Sequence, residues 1–344
     1  MYDFRDKLEA GDVEAIDKLY RSGIAVSVHQ HPLWPDTLQP NQRIRTFVQI
    51  ENNEIVLSSK IIESHLTKAP FVKYAHIHGG FLYKDKSLVP AALLEIVNHY
   101  RKDRFARLSV ELPPDLYMGE YIERSIRKVG VNIDYDFETG VRATIALPLA
   151  ASMEQIQASF STHLKRNIAK AQKKNVHIKR VNTPEEFEDF IAINQKMESS
   201  RGIKQGSPDY LKNIFRFIQK TGLGYFLGSY DETGKMIGGI FMLREGKQVN
   251  YLIGASDPEY KNLPQMHIAF LEAIKIAKAD GLDFFDFGGF GFNAKEGDQI
   301  YNINLFKLNF TDNIVFYPKN MIFKLNKFNY MIGDLLLKMK KKAG

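Results

Sequence analysis

Apolar positions along this chain follow two spacings, one of three to four residues and one of two, and each switch between them marks an element. Between Ala91 and Tyr100 the residues Ala91, Leu94 and Val97 fall at helical spacing, and Phe105-Ala-Arg-Leu-Ser-Val110 then reads as a strand. The same order returns later. Ile268 to Lys278 predicts a helix with Leu271 and Ile274 inward, and Leu282-Asp-Phe-Phe-Asp-Phe287 predicts a strand. A shift of 177 residues lays Glu95 on Glu272, Leu94 on Leu271, Val97 on Ile274 and Val110 on Phe287 without a gap, which signals internal repetition.

The stretch Ser159 to Arg180 spaces Phe160, Leu164 and Ile168 four apart with Ala171 three further on, so it predicts a helix with one packed stripe. A short strand is expected at Val176 to Val181, and Thr183-Pro-Glu-Glu186 is a capping signal that opens a helix from Glu185 to Met197. Further strands are expected at Gly224 to Tyr230, Met236 to Arg244 and Gln248 to Ile253, with Glu232-Thr-Gly-Lys235 as the turn between the first two. These make a curved, mostly antiparallel sheet flanked by helices. Pro148, after the apolar run Ala143 to Leu147, marks the boundary between the halves, and Leu305-Phe-Lys-Leu-Asn-Phe310 alternates like a strand.

A length of 344 residues predicts about two domains, each able to bury a core. With 44% apolar and 25% charged residues the chain is of ordinary globular composition, which excludes disordered and fibrous classes. The absence of cysteine excludes disulfide frameworks, thiolate nucleophiles, zinc ribbons and iron-sulfur clusters, and suits a reducing cytoplasm. Met1-Tyr-Asp-Phe-Arg-Asp-Lys7 runs straight into mixed charged and apolar residues, and no segment reaches the roughly 18 apolar residues of a spanning helix, so a soluble protein without an export signal is expected.

The net charge of +7 is concentrated in two places. Ser159 to Arg180 carries Lys165, Arg166, Lys170, Lys173, Lys174, Lys179 and Arg180 with no acid, and the segment from Lys319 to the end is net +6, so the remainder is net −6. A mildly acidic body with two basic segments points to localised contact with a polyanion: nucleic acid, a diphosphate or an anionic membrane surface. In the tail, Phe328, Ile332, Leu335, Leu336 and Met339 form an apolar face beside the Lys338 to Lys342 cluster, suited either to a membrane surface or to docking on the domain.

Several chemistries have no support. The chain lacks a Gly-x-x-x-x-Gly-Lys loop, a Gly-x-Ser-x-Gly elbow and a His-Glu-x-x-His helix, and Gly288-Gly-Phe-Gly291 lacks the spacing of a dinucleotide fingerprint and reads instead as a sharp turn. His29-x-His31 and His76-x-His78 each put two imidazoles on one side of an extended segment, but without a recognisable third ligand they read as structural histidines, and no metal is assigned. Lys307 is different, because a lysine inside an apolar strand pattern must have either a carboxylate partner or an anionic ligand or transition state to face.

Tyr251-Leu-Ile-Gly-Ala-Ser-Asp257, Asn262-Leu-Pro-Gln-Met-His267, Asp280-Gly281 and Phe285-Asp-Phe-Gly-Gly289 together resemble the second-domain signature of the Fem family of aminoacyl-tRNA-dependent transferases that build peptidoglycan interpeptide bridges. His31-Pro-Leu-Trp34 resembles the family's N-terminal motif, Phe160 to Lys170 its basic helix, and Leu305 to Phe310 its C-terminal Phe-Lys motif. The resemblance implies an α+β chain of two tandem GNAT-like (acyl-CoA N-acyltransferase-like) domains related by duplication. Residues 1–148, completed by 312–344, would form the first, and 149–311 the second. It implies that Lys307 stabilises the oxyanion as an acceptor amine attacks the aminoacyl ester, that Phe306 contacts the terminal adenosine of the tRNA, and that Arg201 binds phosphates of the muropeptide precursor. Lys165, Arg166 and Lys170 are then candidate contacts to tRNA phosphates. No cofactor is implied: charged tRNA is a co-substrate, a UDP-linked or lipid-linked muropeptide is the acceptor, and the setting is the cytoplasm, with the basic tail available to the inner face of the membrane. His78-Gly-Gly80 and Ile253 depart from the family pattern near the acceptor site, which opens the acceptor's identity. No long helical arm interrupts the second domain, so the compact FemX type is the nearer layout. The alternative donor is an acyl-CoA, against which stands the loop Tyr260-Lys-Asn-Leu-Pro-Gln-Met266 with no glycine to cradle a pyrophosphate.

Overall fold

The computed structural model describes residues 1–23, 27–112, 124–125, 127–128, 130, 133–135 and 143–343, and divides into two units, Met1–Arg142 with Phe316–Gly344, and Ala143–Val315. The first carries β1 (Tyr2–Arg5), α1 (Ala10–Ser22), β2 (Gln42–Glu51), β3 (Glu54–Leu66), β4 (Ala69–Ile77), β5 (Leu82–Tyr83), α2 (Val89–Lys102), β6 (Arg107–Val110) and β7 (Ile133–Tyr135). The second carries β8 (Ala143–Pro148), α3 (Met153–Ser159), α4 (Thr162–Lys173), β9 (His177–Arg180), α5 (Pro184–Arg201), α6 (Pro208–Thr221), β10 (Gly224–Tyr230), β11 (Met236–Glu245), β12 (Gln248–Ser256), α7 (Gln265–Ala279), β13 (Phe284–Gly289), α8 (Gln299–Leu308) and β14 (Ile314–Phe316). The chain ends in β15 (Met321–Lys324) and α9 (Lys327–Ala343), which belong to the first unit.

Each unit is a mixed sheet with helices. The first sheet runs β1-β2-β3-β4-β6-β15-β7, with β5 also on β3, and the second runs β14-β8-β13-β12-β11-β10-β9. In the first, β4 and β6 are parallel, and in the second β12 and β13 are parallel. A parallel pair needs a crossover, and α2 and α7 supply them. Glu95 lies in α2 and Glu272 in α7, Val110 in β6 and Phe287 in β13, so the 177-residue offset pairs equivalent positions. The buried face of α2 is turned slightly from the expected one: Ala92, Leu93, Ile96, Val97 and Tyr100 are buried, whereas Ala91 is exposed.

Three expectations are corrected. The division falls before Ala143 and after Val315 rather than after Pro148 and after residue 311, because β8 pairs with β13 through Phe284↔Pro148, Phe285↔Leu147 and Asp286↔Ala146. Leu305 to Phe310 is not a strand. Its residues close α8, whose buried positions are Asn304 and Lys307, three apart, so the burial period is helical although the buried side chains are polar. The apolar face of α9 is split. Tyr330, Ile332 and Leu336 pack on Val72 and Ala106, while Phe328, Met331, Leu335 and Met339 are exposed. The side chains of Lys340, Lys341 and Lys342 lie outside the described residues.

The core of the second unit sits behind α7 and β13, where Phe270 meets Tyr251, Phe287, Phe306 and Phe310 at ring-centroid distances of 4.9, 5.5, 5.4 and 5.8 Å. Truncating it leaves a cavity the neighbouring rings cannot close, so Phe270→Ala is expected to cost about 3–5 kcal/mol in denaturant unfolding. A loss below about 1 kcal/mol would show that this cluster does not hold the unit together.

Candidate active site

The site is built where a ladder ends. β12 and β13 pair at Gln248↔Phe284, Val249↔Phe285 and Asn250↔Asp286, and there the pairing stops, while β12 continues along β11 to Ser256 and β13 continues along β8 to Gly289. Both strands shift register at this point, between Phe241 and Met242 on the β11 side and between Asp286 and Gly289 in β13. Such irregularities leave backbone carbonyls without ladder partners, and these must be satisfied some other way.

Lys307 supplies the donors. Its Nζ donates to the Gly288 carbonyl at 3.0 Å and to the Gly289 carbonyl at 2.7 Å, from a side chain only 6% exposed. No carboxylate lies at salt-bridge distance from it among the described residues. Burial drives its pKa down to about 8, and Asp286 nearby opposes that without reversing it, so at pH 7 about nine in ten such lysines remain charged. Asp286 is itself buried, accepts from the Thr144 hydroxyl and from the Gly288 N–H at 2.6 Å, and so fixes the turn that carries both carbonyls.

The turn needs its glycines. Gly288 has φ +79°, a left-handed conformation costly for residues with a Cβ, and a Cβ on Gly291 would stand 2.5 Å from Ile300 Cγ2. Asn304, one helical turn before Lys307, clasps Gly291 from both sides, donating to its carbonyl at 2.8 Å and accepting from its N–H at 3.2 Å. The buried polar stripe of α8 therefore holds the loop 288–291, while Ile300, Ile303 and Leu305 on its other positions are exposed.

The other expected residues lie in α8, at the end of α5 and on α4. Phe306 is half-buried, packing on His267 at 5.0 Å and on Phe270, so one side of its ring is committed to α7. His267 is half-buried, and desolvation together with His163 pushes its pKa down to about 4, leaving it neutral at pH 7. Arg201 is exposed at the C-terminal end of α5, which packs on β11 and β12, and its charge reaches the half-buried Tyr251, tempering the upward shift that desolvation imposes on its hydroxyl. Lys165, Arg166 and Lys170 are exposed on α4 opposite its buried Leu164, Ile168 and Ala171, and Lys165 donates to the Ala158 carbonyl at 2.6 Å. Sequence reasoning missed Asp286, Thr144, Asn304 and His267. A lone acid among the aromatic residues of Phe285-Asp-Phe287 was the available signal for the first.

The sign of the Lys307 shift gives a test. Below about pH 8 the folded and unfolded chains both carry the proton, and the folded state bears the full cost of a buried cation. Between about 8 and the ordinary 10.5 the folded lysine is neutral while the unfolded one is charged, so the unfolded state binds more protons and stability rises with pH. Lys307→Met should remove up to about 3 kcal/mol of that rise, seen as the difference between parent and variant unfolding free energies across the window. A constant difference from pH 7 to 10.5 would mean that the lysine titrates normally.

Comparison with known proteins gives the family and the fold. The FemAB family model matches residues 26–221, and an acetyltransferase (GNAT) domain model matches residues 158–301. No curated protein matches the sequence. A solved structure of FemX is similar over 96% of this chain and 99% of its own, with a TM-score of 0.79 at 14% identity. L-PGS from Bacillus licheniformis is similar over 92% of each chain, with a TM-score of 0.58 at 12% identity. A tandem GNAT protein from the clavulanic acid biosynthesis pathway is similar over 95% of this chain and 99% of its own, with a TM-score of 0.50 at 11% identity. At these identities the likeness establishes the fold, two GNAT-like domains in tandem. Because the family match runs over more than half of its length, this chain belongs to the FemAB family and is an acyltransferase.

Proposed function

We propose that the protein transfers an aminoacyl group from a charged tRNA to an amine of a peptidoglycan precursor, with Lys307 as the catalytic cation. The observation that carries this reading is the ammonium held on Gly288 and Gly289. An ammonium has three N–H donors, and two are taken by these carbonyls, which leaves one for an oxyanion. As the acceptor amine adds to the ester carbonyl, negative charge develops on the carbonyl oxygen, and a fixed cation in a water-poor site stabilises it without reorganisation. Collapse forms the amide, breaks the bond to the ribose oxygen, and passes the amine's proton to that leaving oxygen. No covalent intermediate is required, so the rest of the catalysis is positioning.

The remaining residues take roles consistent with their places. The exposed Lys165, Arg166 and Lys170 face tRNA phosphates, Phe306 offers the uncommitted part of its ring to the terminal adenosine, and exposed Arg201 meets precursor phosphates. A GNAT domain match over 158–301 also favours an acyl-CoA donor, and the same chemistry at Lys307 would serve it. The donor decides between them. With charged tRNA and precursor supplied, Lys307→Ala should lower kcat by about 10²–10³, or about 2.7–4 kcal/mol, the size of one lost oxyanion donor. Turnover equal to the parent would reject the role, and transfer only from acyl-CoA would reject tRNA as donor.

A cytoplasmic chain acting on a lipid-linked precursor has reason to visit the inner membrane face, and α9 offers the means. Phe328, Met331, Leu335 and Met339 form an exposed stripe flanked by exposed Lys327 and Lys338. Among the described residues no helix is long and apolar enough to cross a membrane. Co-sedimentation with phosphatidylglycerol vesicles should be salt-sensitive and should fall at least tenfold in Phe328→Glu/Leu335→Glu. Equal sedimentation of parent and variant would remove the membrane contact.

A further inference from the structure

We propose that His76, His78 and Glu111 form a site for one divalent transition metal of the zinc class. The argument starts from register. β4 and β6 are parallel with His76↔Ser109 and Ile77↔Val110 as partners, and the Glu111 N–H donates to the Ile77 carbonyl at 2.9 Å, so the alignment extends one step to bring His78 beside Glu111. Side chains alternate along strands, so residues 76, 78, 109 and 111 share one face while Ala75, Ile77, Leu108 and Val110 enter the core on the other. The His-x-His spacing thus delivers two imidazoles to one face, and the neighbouring strand supplies the third ligand that spacing alone did not show.

The geometry suits a cation. One ligand atom from each of the three residues lies within 4.8 Å of the others, and a tetrahedral zinc ion with bonds of about 2.1 Å needs ligand atoms about 3.4 Å apart, a contraction within reach of side-chain rotation. His78 Nδ1 and the Glu111 carboxylate are paired directly at 2.6 Å, a contact that a metal would replace by opening the pair to about 3.4 Å. His76 Nδ1 meets the Ser109 hydroxyl at 3.3 Å, the kind of outer contact that orients a ligating ring and directs its other nitrogen to the metal. Glu111 is buried, whereas the His78 side chain is 41% exposed, so the site has a buried carboxylate and an entry path. His29 packs against His78 at a centroid distance of 4.1 Å, and Gln30 of the same turn donates to the His78 carbonyl at 2.7 Å, which braces the outer ligand. Two histidines and a carboxylate leave coordination positions open, as in zinc sites that also bind a water or a substrate oxygen. By contrast His31 is fully buried against Asp17 and Tyr20 and serves the fold. The site lies within the first unit and does not depend on the transfer proposed for the second.

The test uses the full chain, stripped with a chelator and titrated with cobalt(II), whose visible bands report a low-coordinate nitrogen and oxygen site. One cobalt per chain should bind and be displaced by one equivalent of zinc. His76→Asn and His78→Asn should each weaken binding at least tenfold, and Ser109→Ala about tenfold through loss of the orienting contact. His65→Asn and His163→Asn, at histidines elsewhere, should bind as the parent does. No saturable uptake by the parent at micromolar cobalt, or parent-like binding by a folded His78→Asn protein, overturns the site. Should the ligand variants fail to fold, X-ray absorption of the zinc-loaded parent decides: two imidazoles on the metal support the assignment, and fewer overturn it.

Discussion

A buried ammonium bonded to two backbone carbonyls is the constraint around which the second unit is arranged. Charge removed from water is costly unless it is met by oriented dipoles, and the β12–β13 ladder ends where the Gly288 and Gly289 carbonyls can meet it. Each neighbour secures part of that arrangement. Asp286 and Thr144 fix the turn from the strand side, Asn304 fixes it from the helix side, and the rings around Phe270 hold α7 and α8 against the sheet. The lysine remains charged at neutral pH because its surroundings stop short of neutralising it.

Duplication gives this arrangement a counterpart. Both units contain a parallel strand pair joined through a helix, and the 177-residue offset that pairs Glu95 with Glu272 also pairs Glu111 with Gly288. The ends of the parallel pairs are therefore equivalent places put to different use. In the first unit side chains converge there, two imidazoles and a carboxylate. In the second the backbone itself is exposed to a cation, which only a glycine turn permits.

Where burial and hydrophobicity coincide, the chain is readable from its residues. The α4 stripe of Leu164, Ile168 and Ala171, the strand Gly224–Tyr230 and the repeat itself all appear in the structure as their spacing predicts. The misreading of Leu305 to Phe310 has a physical origin: the buried face of α8 is Asn304 and Lys307, so a search for apolar periodicity sees Phe306, Leu308 and Phe310 at every second place and infers alternation. Lys307 was legible as an anomaly because a cation among apolar residues demands a partner, but its partners are carbonyls, which carry no mark in sequence. Asp286 and the third member of the histidine cluster were hidden for a related reason. Both depend on strand register across more than 30 residues, which local spacing does not encode.

The most direct measurement of the central claim is an NMR titration of the Lys307 side chain, assigned by comparison with Lys307→Met, in the presence and absence of a phosphonate analogue of the tetrahedral intermediate. An ammonium poised for an oxyanion should titrate near pH 8 in the free protein and should hold its proton to a higher pH when the anionic analogue is bound. A titration that stays the same while the analogue saturates its site would show that the cation serves the turn alone.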